Sequence, residues 1–188
     1  MKKIALLASG SGSNVENIIC YFRNKSEISF FVLSNKEDAY VHQRAKKLNI
    51  LSYTINKNGF ETGKALMLLK ENKTDFIVLA GFLLKVPEDI LKNYQGRIIN
   101  IHPALLPKYG GKGMYGSHVH EAVVANKETE SGITIHHVNE NYDEGQIIFQ
   151  SRCVISPADT PEDVAAKVHA LEYEHFPKII EQIIERKN

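Results

Sequence analysis

Ile4-Ala-Leu-Leu-Ala8, followed by Ser9-Gly10-Ser11-Gly12-Ser13-Asn14 and then by Val15, Ile18, Ile19 and Phe22, is the stretch that decides the fold class. A short, continuously apolar run reads as a strand buried on both faces, and apolar residues three and four apart read as one side of a helix. The glycines and small polar residues between them punctuate the chain, so the segment is strand, glycine turn, helix. The same alternation repeats downstream. Residues 28–33 read as a strand, 40–48 as a helix, 51–55 as a strand, 59–69 as a helix and 76–80 as the most apolar strand. Pro87-Glu88-Asp89 opens a short helix, with proline where its missing N–H costs nothing and acids near the positive helix end. A further strand follows at 97–101. Repeated βα units of this kind predict an α/β fold, a Rossmann-like and mostly parallel sheet with helices on both faces.

Beyond residue 102 the pattern changes. Pro103, Pro107, Gly110, Gly111, Gly113 and Gly116 crowd one segment, which reads as a long functional loop. A helix is expected near 118–125. Strands at 133–138 and 146–155, joined by the polar stretch 139–145, predict an antiparallel C-terminal extension of the sheet. Asp159-Thr160-Pro161-Glu162-Asp163 carries a cap, a proline and first-turn acids. The stripe Val164, Val168, Leu171, Phe176, Ile179, Ile180, Ile183 then makes a closing helix, expected to break near Pro177, with 181–187 as a solvated face.

Composition narrows the functional classes. The 188 residues fit a single domain, 1–188, and 23 basic against 22 acidic residues give a formal charge of +1. Such a balance offers no bulk attraction to nucleic acid or to an anionic membrane, so neither is an expected partner. Cys20 and Cys153 lie in apolar surroundings with no C-x-x-C pair, which predicts reduced core thiols in a cytoplasmic protein. No apolar run approaches the ~20 residues of a membrane span, and no signal-peptide core follows Met1-Lys2-Lys3.

Two constellations carry chemistry. The Gly10-Ser-Gly12-Ser13-Asn14 turn can aim backbone N–H groups and a helix dipole at a phosphate. It lacks the third glycine of a dinucleotide fingerprint and the Gly-Lys-Ser/Thr ending of a Walker loop. The glycines equally suit a plain tight turn with Ser13 or Asn14 as helix cap. Asn100-Ile-His102-Pro-Ala-Leu-Leu-Pro107 sits where a strand meets irregular backbone, the place where open α/β sheets bind ligands. Residues two apart on a strand share a face, so Asn100 and His102 project together. An amide donor beside an imidazole suits a developing oxyanion, although a cap and a surface histidine have the same residue types. Asp143, in Asp143-Glu144-Gly145, would raise the His102 pKa if brought close. As an isolated residue it is also an ordinary turn former. His118-x-His120 and His136-His137 invite a metal reading, yet consecutive strand residues point to opposite faces, and no metal is expected. Lys108, Tyr109, Lys112 and Tyr115 could meet an anion.

Taken together, Gly12-Ser13-Asn14, Leu79-Ala80-Gly81-Phe82, the Asn100–Pro107 element and Asp143-Glu-Gly145 resemble the folate-dependent formyltransferase family over nearly the whole chain. The Gly-Ser-Asn turn resembles the branch that formylates the amine of phosphoribosylglycinamide in purine synthesis. Relatives acting on methionyl-tRNA carry an extra domain for which 188 residues leave no room, so the expected partners are small-molecule substrates. The resemblance implies 10-formyltetrahydrofolate as formyl donor and co-substrate. It also implies Asn100, His102 and Asp143 as the catalytic trio, with Asp143 keeping His102 protonated. Gly12, Ser13 and Asn14 would hold the substrate phosphate, and Glu172 its glycinamide end. Leu83, Leu84, Lys85 and Val86 would line the pterin pocket together with Asn100, with loop 139–143 closing over it and His136 in support. The family's anion-contacting position after Phe60 falls on Lys64. Monomer and homodimer are both left open.

Overall fold

Strand β1 (Lys2–Leu7) owes its central place to Ile4, Ala5, Leu6 and Leu7, none of which retains solvent exposure. Each such buried Leu or Ile contributes about 1.5–3 kcal/mol. The computed structural model describes residues 1–185, and the chain divides into two compact units, Met1–Asn100 and Ile101–Asn188.

In the first unit β1 pairs in parallel with β2 (Ile28–Ser34) and β4 (Phe76–Leu79), β2 with β3 (Ser52–Thr54), and β4 with β5 (Ile98–His102). The expected parallel, doubly wound arrangement is therefore present. Helices α1 (Ser13–Tyr21), α2 (Val41–Lys47), α3 (Lys57–Glu61), α4 (Lys64–Glu71) and α5 (Glu88–Asn93) connect the strands. The single helix expected over 59–69 is two, because Gly63 takes the left-handed conformation (φ 81°) between α3 and α4. Cys20 lies on the solvent side of α1 and Cys153 is half-buried, so the expectation of core thiols is corrected for both.

In the second unit α6 (Ser117–Ala125) leads to β6 (Glu130–His137), which pairs antiparallel with β7 (Ile147–Val154). This is the expected antiparallel extension, and β6 starts at Glu130 because its register carries it to Val154. Helix α7 (Pro161–Glu185) packs on α6, β6 and β7 and runs unbroken through Pro177, where a break was expected. Val164, Val168, Phe176, Ile179, Ile180 and Ile184 are buried on both sides of the proline, and their packing outweighs the ~3 kcal/mol that an interior proline costs. Of the stretch 181–187 read as a solvated helix face, residues 186 and 187 lie outside the described residues. Segment 103–116 is irregular, as expected, and is tied down from beneath. The Thr134 hydroxyl donates to the Ala104 carbonyl (2.7 Å) and accepts from the Leu106 N–H (3.0 Å), and the Gln150 amide donates to the Leu106 carbonyl (3.0 Å).

Candidate active site

β5 ends in Asn100, Ile101 and His102, and alternation along the strand puts Asn100 and His102 on one face. His102 is 4% exposed, and its Nε2–H donates to the Tyr109 carbonyl at 2.7 Å. Its Nδ1 faces Asp143 Oδ2 at 3.5 Å, longer than a formed hydrogen bond but within electrostatic reach. Asp143 sits between two imidazoles. Its Oδ1 lies 3.5 Å from His136 Nε2, and Oδ2 accepts the Gly111 N–H at 2.9 Å. The His136 Nδ1–H donates to the His137 carbonyl at 2.9 Å, which turns Nε2 toward the carboxylate. Asp143 reaches this place from a left-handed backbone (φ 57°) followed two residues later by Gly145, where any Cβ would collide with the His137 carbonyl.

Burial pushes the His102 imidazole below its ordinary pKa, while Asp143 and the Tyr109 carbonyl pull it back only in part. The expectation of a net rise is thereby corrected: the carboxylate has the expected sign, but desolvation is larger. For Asp143 burial pushes upward and is outweighed by His136, His102 and the Gly111 N–H, so the carboxyl stays below its usual range. A buried imidazole poised toward neutrality beside a firmly ionised carboxylate is equipped to take up and release a proton.

Glu172 on α7 is 4% exposed and bonds His169 Nδ1 at 2.7 Å. Its charge acts on both His102 and His120. His120 is buried with Nδ1 lacking a hydrogen-bond partner, whereas His118 is exposed beside Glu121, so the two do not face one point. Among the described residues no three His, Cys, Asp or Glu side chains are gathered to hold a metal ion. Lys108 and Tyr109, read as anion contacts, are instead both engaged by Glu128, and Tyr115 meets the His118 ring edge to face.

In the first unit, Gly12 precedes α1 with φ 72°, and a Cβ there would collide with Val41 of α2. Neither Ser13 nor Asn14 caps the helix, since Gly12 occupies the cap position without a side-chain bond. The positive dipole end of α1 thus opens directly after the glycine turn, with no capping side chain at Gly12. After β4 the backbone turns irregular, and the Leu83 N–H donates to Ser9 Oγ at 2.9 Å. Leu83 is exposed, Leu84 half-buried, Lys85 exposed and Val86 buried. Among the described residues no hydrogen bond reaches the backbone of Leu84, Lys85 or Val86. Backbone donors and acceptors there stand beside apolar side chains, the mixture that lines small-molecule sites. Lys64 is exposed at the start of α4, four residues after Phe60, whose ring meets Phe82 at 5.1 Å.

Residues 2–180 match the sequence model of the formyl transferase family. The chain belongs to that family. It is 35% identical to the phosphoribosylglycinamide formyltransferase of Haemophilus influenzae, over 98% of this chain and 88% of that protein. It is also 35% identical to the chloroplastic phosphoribosylglycinamide formyltransferase of Arabidopsis thaliana, over 99% of its own length but 66% of the plant protein, just under two thirds. Among solved structures, the phosphoribosylglycinamide formyltransferase of Streptococcus pneumoniae superposes with a TM-score of 0.85 at 38% identity, covering 98% of this chain and 99% of that one. Family membership accords with the formyltransferase fold and with an enzyme. No helix among the described residues is long and apolar enough to cross a membrane.

Glu128 and His169 escaped the sequence reading, as did the contacts that Tyr109 and Gly111 make with the His102–Asp143 pair. Tyr109 and Gly111 act through backbone atoms, which residue type does not announce. His169 did leave a signal, three residues before Glu172 on one helix.

Proposed function

We propose that this chain transfers the formyl group of 10-formyltetrahydrofolate to the amine of 5′-phosphoribosylglycinamide. The observation that carries this reading is the buried His102–Asp143 pair at the end of β5, two residues after Asn100, in a chain of this family. The amine nitrogen attacks the formyl carbon, a new C–N bond forms and the carbonyl oxygen becomes an oxyanion. Asn100 donates a hydrogen bond to it. The growing negative charge raises the proton affinity of His102, which starts nearly neutral and takes the proton shed by the attacking amine. The imidazolium, held by Asp143, stabilises the oxyanion and passes the proton to N10 of the folate as the old C–N bond breaks. Products are formylglycinamide ribonucleotide and tetrahydrofolate, with no covalent enzyme intermediate and no metal.

Gly12, Ser13 and Asn14 bind the substrate phosphate, and Glu172 binds its glycinamide end. Leu83, Leu84, Lys85, Val86 and Asn100 bind the pterin, loop 139–143 contributes to the same ligand, and Lys64 meets the anionic folate tail. Residues 1–188 act as one formyltransferase domain in the cytoplasm, as a monomer or a homodimer, on small molecules alone. An absorbance assay for tetrahydrofolate, with phosphoribosylglycinamide as acceptor and a sugar-nucleotide amine as control, tests the reading. His102→Ala should lower kcat by about 10²–10⁴-fold with substrate binding kept. Equal or better turnover of the sugar nucleotide would overturn the acceptor, and no formyl transfer to any amine would overturn the activity.

A further inference from the structure

Loop 103–116 contributes two backbone atoms to the His102–Asp143 pair. The Tyr109 carbonyl accepts from His102 Nε2 at 2.7 Å, and the Gly111 N–H donates to Asp143 Oδ2 at 2.9 Å. A loop with Gly110, Gly111, Gly113 and Gly116 has no stiffness of its own to hold two contacts of that precision. Something outside it must fix its position.

Glu128, in the turn between α6 and β6, is placed to do so. Its Oε1 accepts the Tyr109 hydroxyl at 2.9 Å, and its two oxygens take the Lys108 ammonium at 3.0 and 3.3 Å. One half-buried carboxylate therefore grips two consecutive residues of the loop, one of which carries the carbonyl on His102. We infer that Glu128, with Tyr109 and Lys108, is a positioning clamp that sets the geometry and proton affinity of the His102–Asp143 pair without touching substrate. This inference rests on the proposed catalytic roles of those two residues.

The clamp works through what faces His102. Asp143, Glu172 and the Tyr109 carbonyl favour its protonated form, while burial and His136 oppose it, and His120 lies within electrostatic range. Releasing Tyr109 withdraws a contact that favours the imidazolium and frees Gly111 from Asp143. The His102 titration midpoint should then move down. A residue that merely stabilised the fold would leave it in place.

The test uses Tyr109→Phe, which removes one hydroxyl and keeps the ring and the backbone carbonyl, beside Glu128→Ala. Arg152→Met, at an exposed ion pair with Glu130, is the control. The His102 imidazole is followed by NMR against pH in protein without substrate, its signal assigned by its loss in His102→Gln. Both clamp variants should titrate His102 at lower pH than the control and lower kcat roughly tenfold, with KM for the amine substrate within about twofold. Wild-type titration and kcat in Tyr109→Phe overturn the inference, and this variant decides if Glu128→Ala does not fold. The titration needs no turnover, so a chain without formyl transfer activity would fail the proposed function and still answer for the clamp.

Discussion

At the residue scale the site divides into groups that side-chain chemistry announces and groups that it does not. Asn100, His102 and Asp143 stood out because polar residues able to stabilise charge or move a proton lay at a strand end and in a loop. Their direction of perturbation did not stand out, because burial depends on packing that no local pattern contains. Asp143 favours the protonated form of His102, so Asp143→Asn should lower its pKa further. In a kcat/KM profile, the acid limb on which His102 becomes protonated should shift to lower pH in that variant, and kcat should fall about tenfold or more. An acid limb that stays in place would show that another group sets it. Gly145 makes a second residue-scale prediction. Gly145→Ala forces the backbone away from the His137 carbonyl and carries Asp143 with it. The expected result is lost thermal stability together with lost turnover, whereas Glu144→Ala, one residue earlier, should leave both near wild type.

At the scale of elements, strands were legible where burial on both faces wrote an unbroken apolar run, as in β1 and β4. The break between α3 and α4 was not, because a glycine inside a helical stretch does not by itself announce the left-handed backbone that Gly63 takes. Nor was the continuity of α7, whose proline is a local argument overruled by a tertiary one. Its start was legible in detail: Thr160 Oγ1 accepts the Asp163 N–H at 3.2 Å, and Asp163 Oδ2 accepts the Thr160 N–H at 2.9 Å, a reciprocal capping box before Pro161. Thr160→Ala should cost about 1 kcal/mol in a urea titration. Since α7 carries Glu172 far from this cap, kcat at saturating substrate should hold steady. A stability change within error would mean that the cap is replaced by water at no cost.

For the whole molecule, near-neutral charge left specific burial to set the pH dependence of stability. Imidazoles act in both directions. His102 and His120 have folded pKa values pushed below the ordinary 6.5, by burial in each case. As pH falls below 6.5 the unfolded chain binds protons that these buried rings resist, so stability present above 6.5 is lost on acidification. His169 has the opposite sign. Its bond to Glu172 raises its pKa, so its contribution is complete below 6.5 and disappears as pH climbs through the higher folded value. Asp143, Asp159, Asp163 and Glu128 are all lowered, and what they contribute is lost only at more acid pH, below the ordinary carboxylate range. Between pH 6.5 and 5.5, therefore, where the His169 contribution is already complete, two destabilising rings act with no carboxylate change to mask them. Each can contribute a slope of at most about 1.4 kcal/mol per pH unit. Urea midpoints should fall across this window, and His120→Gln, which removes one of the two rings, should flatten the fall while leaving the alkaline side unchanged. A midpoint that rises on acidification would mean that neither ring is held neutral in the folded chain, and an unaltered slope in the variant would mean that His120 is not.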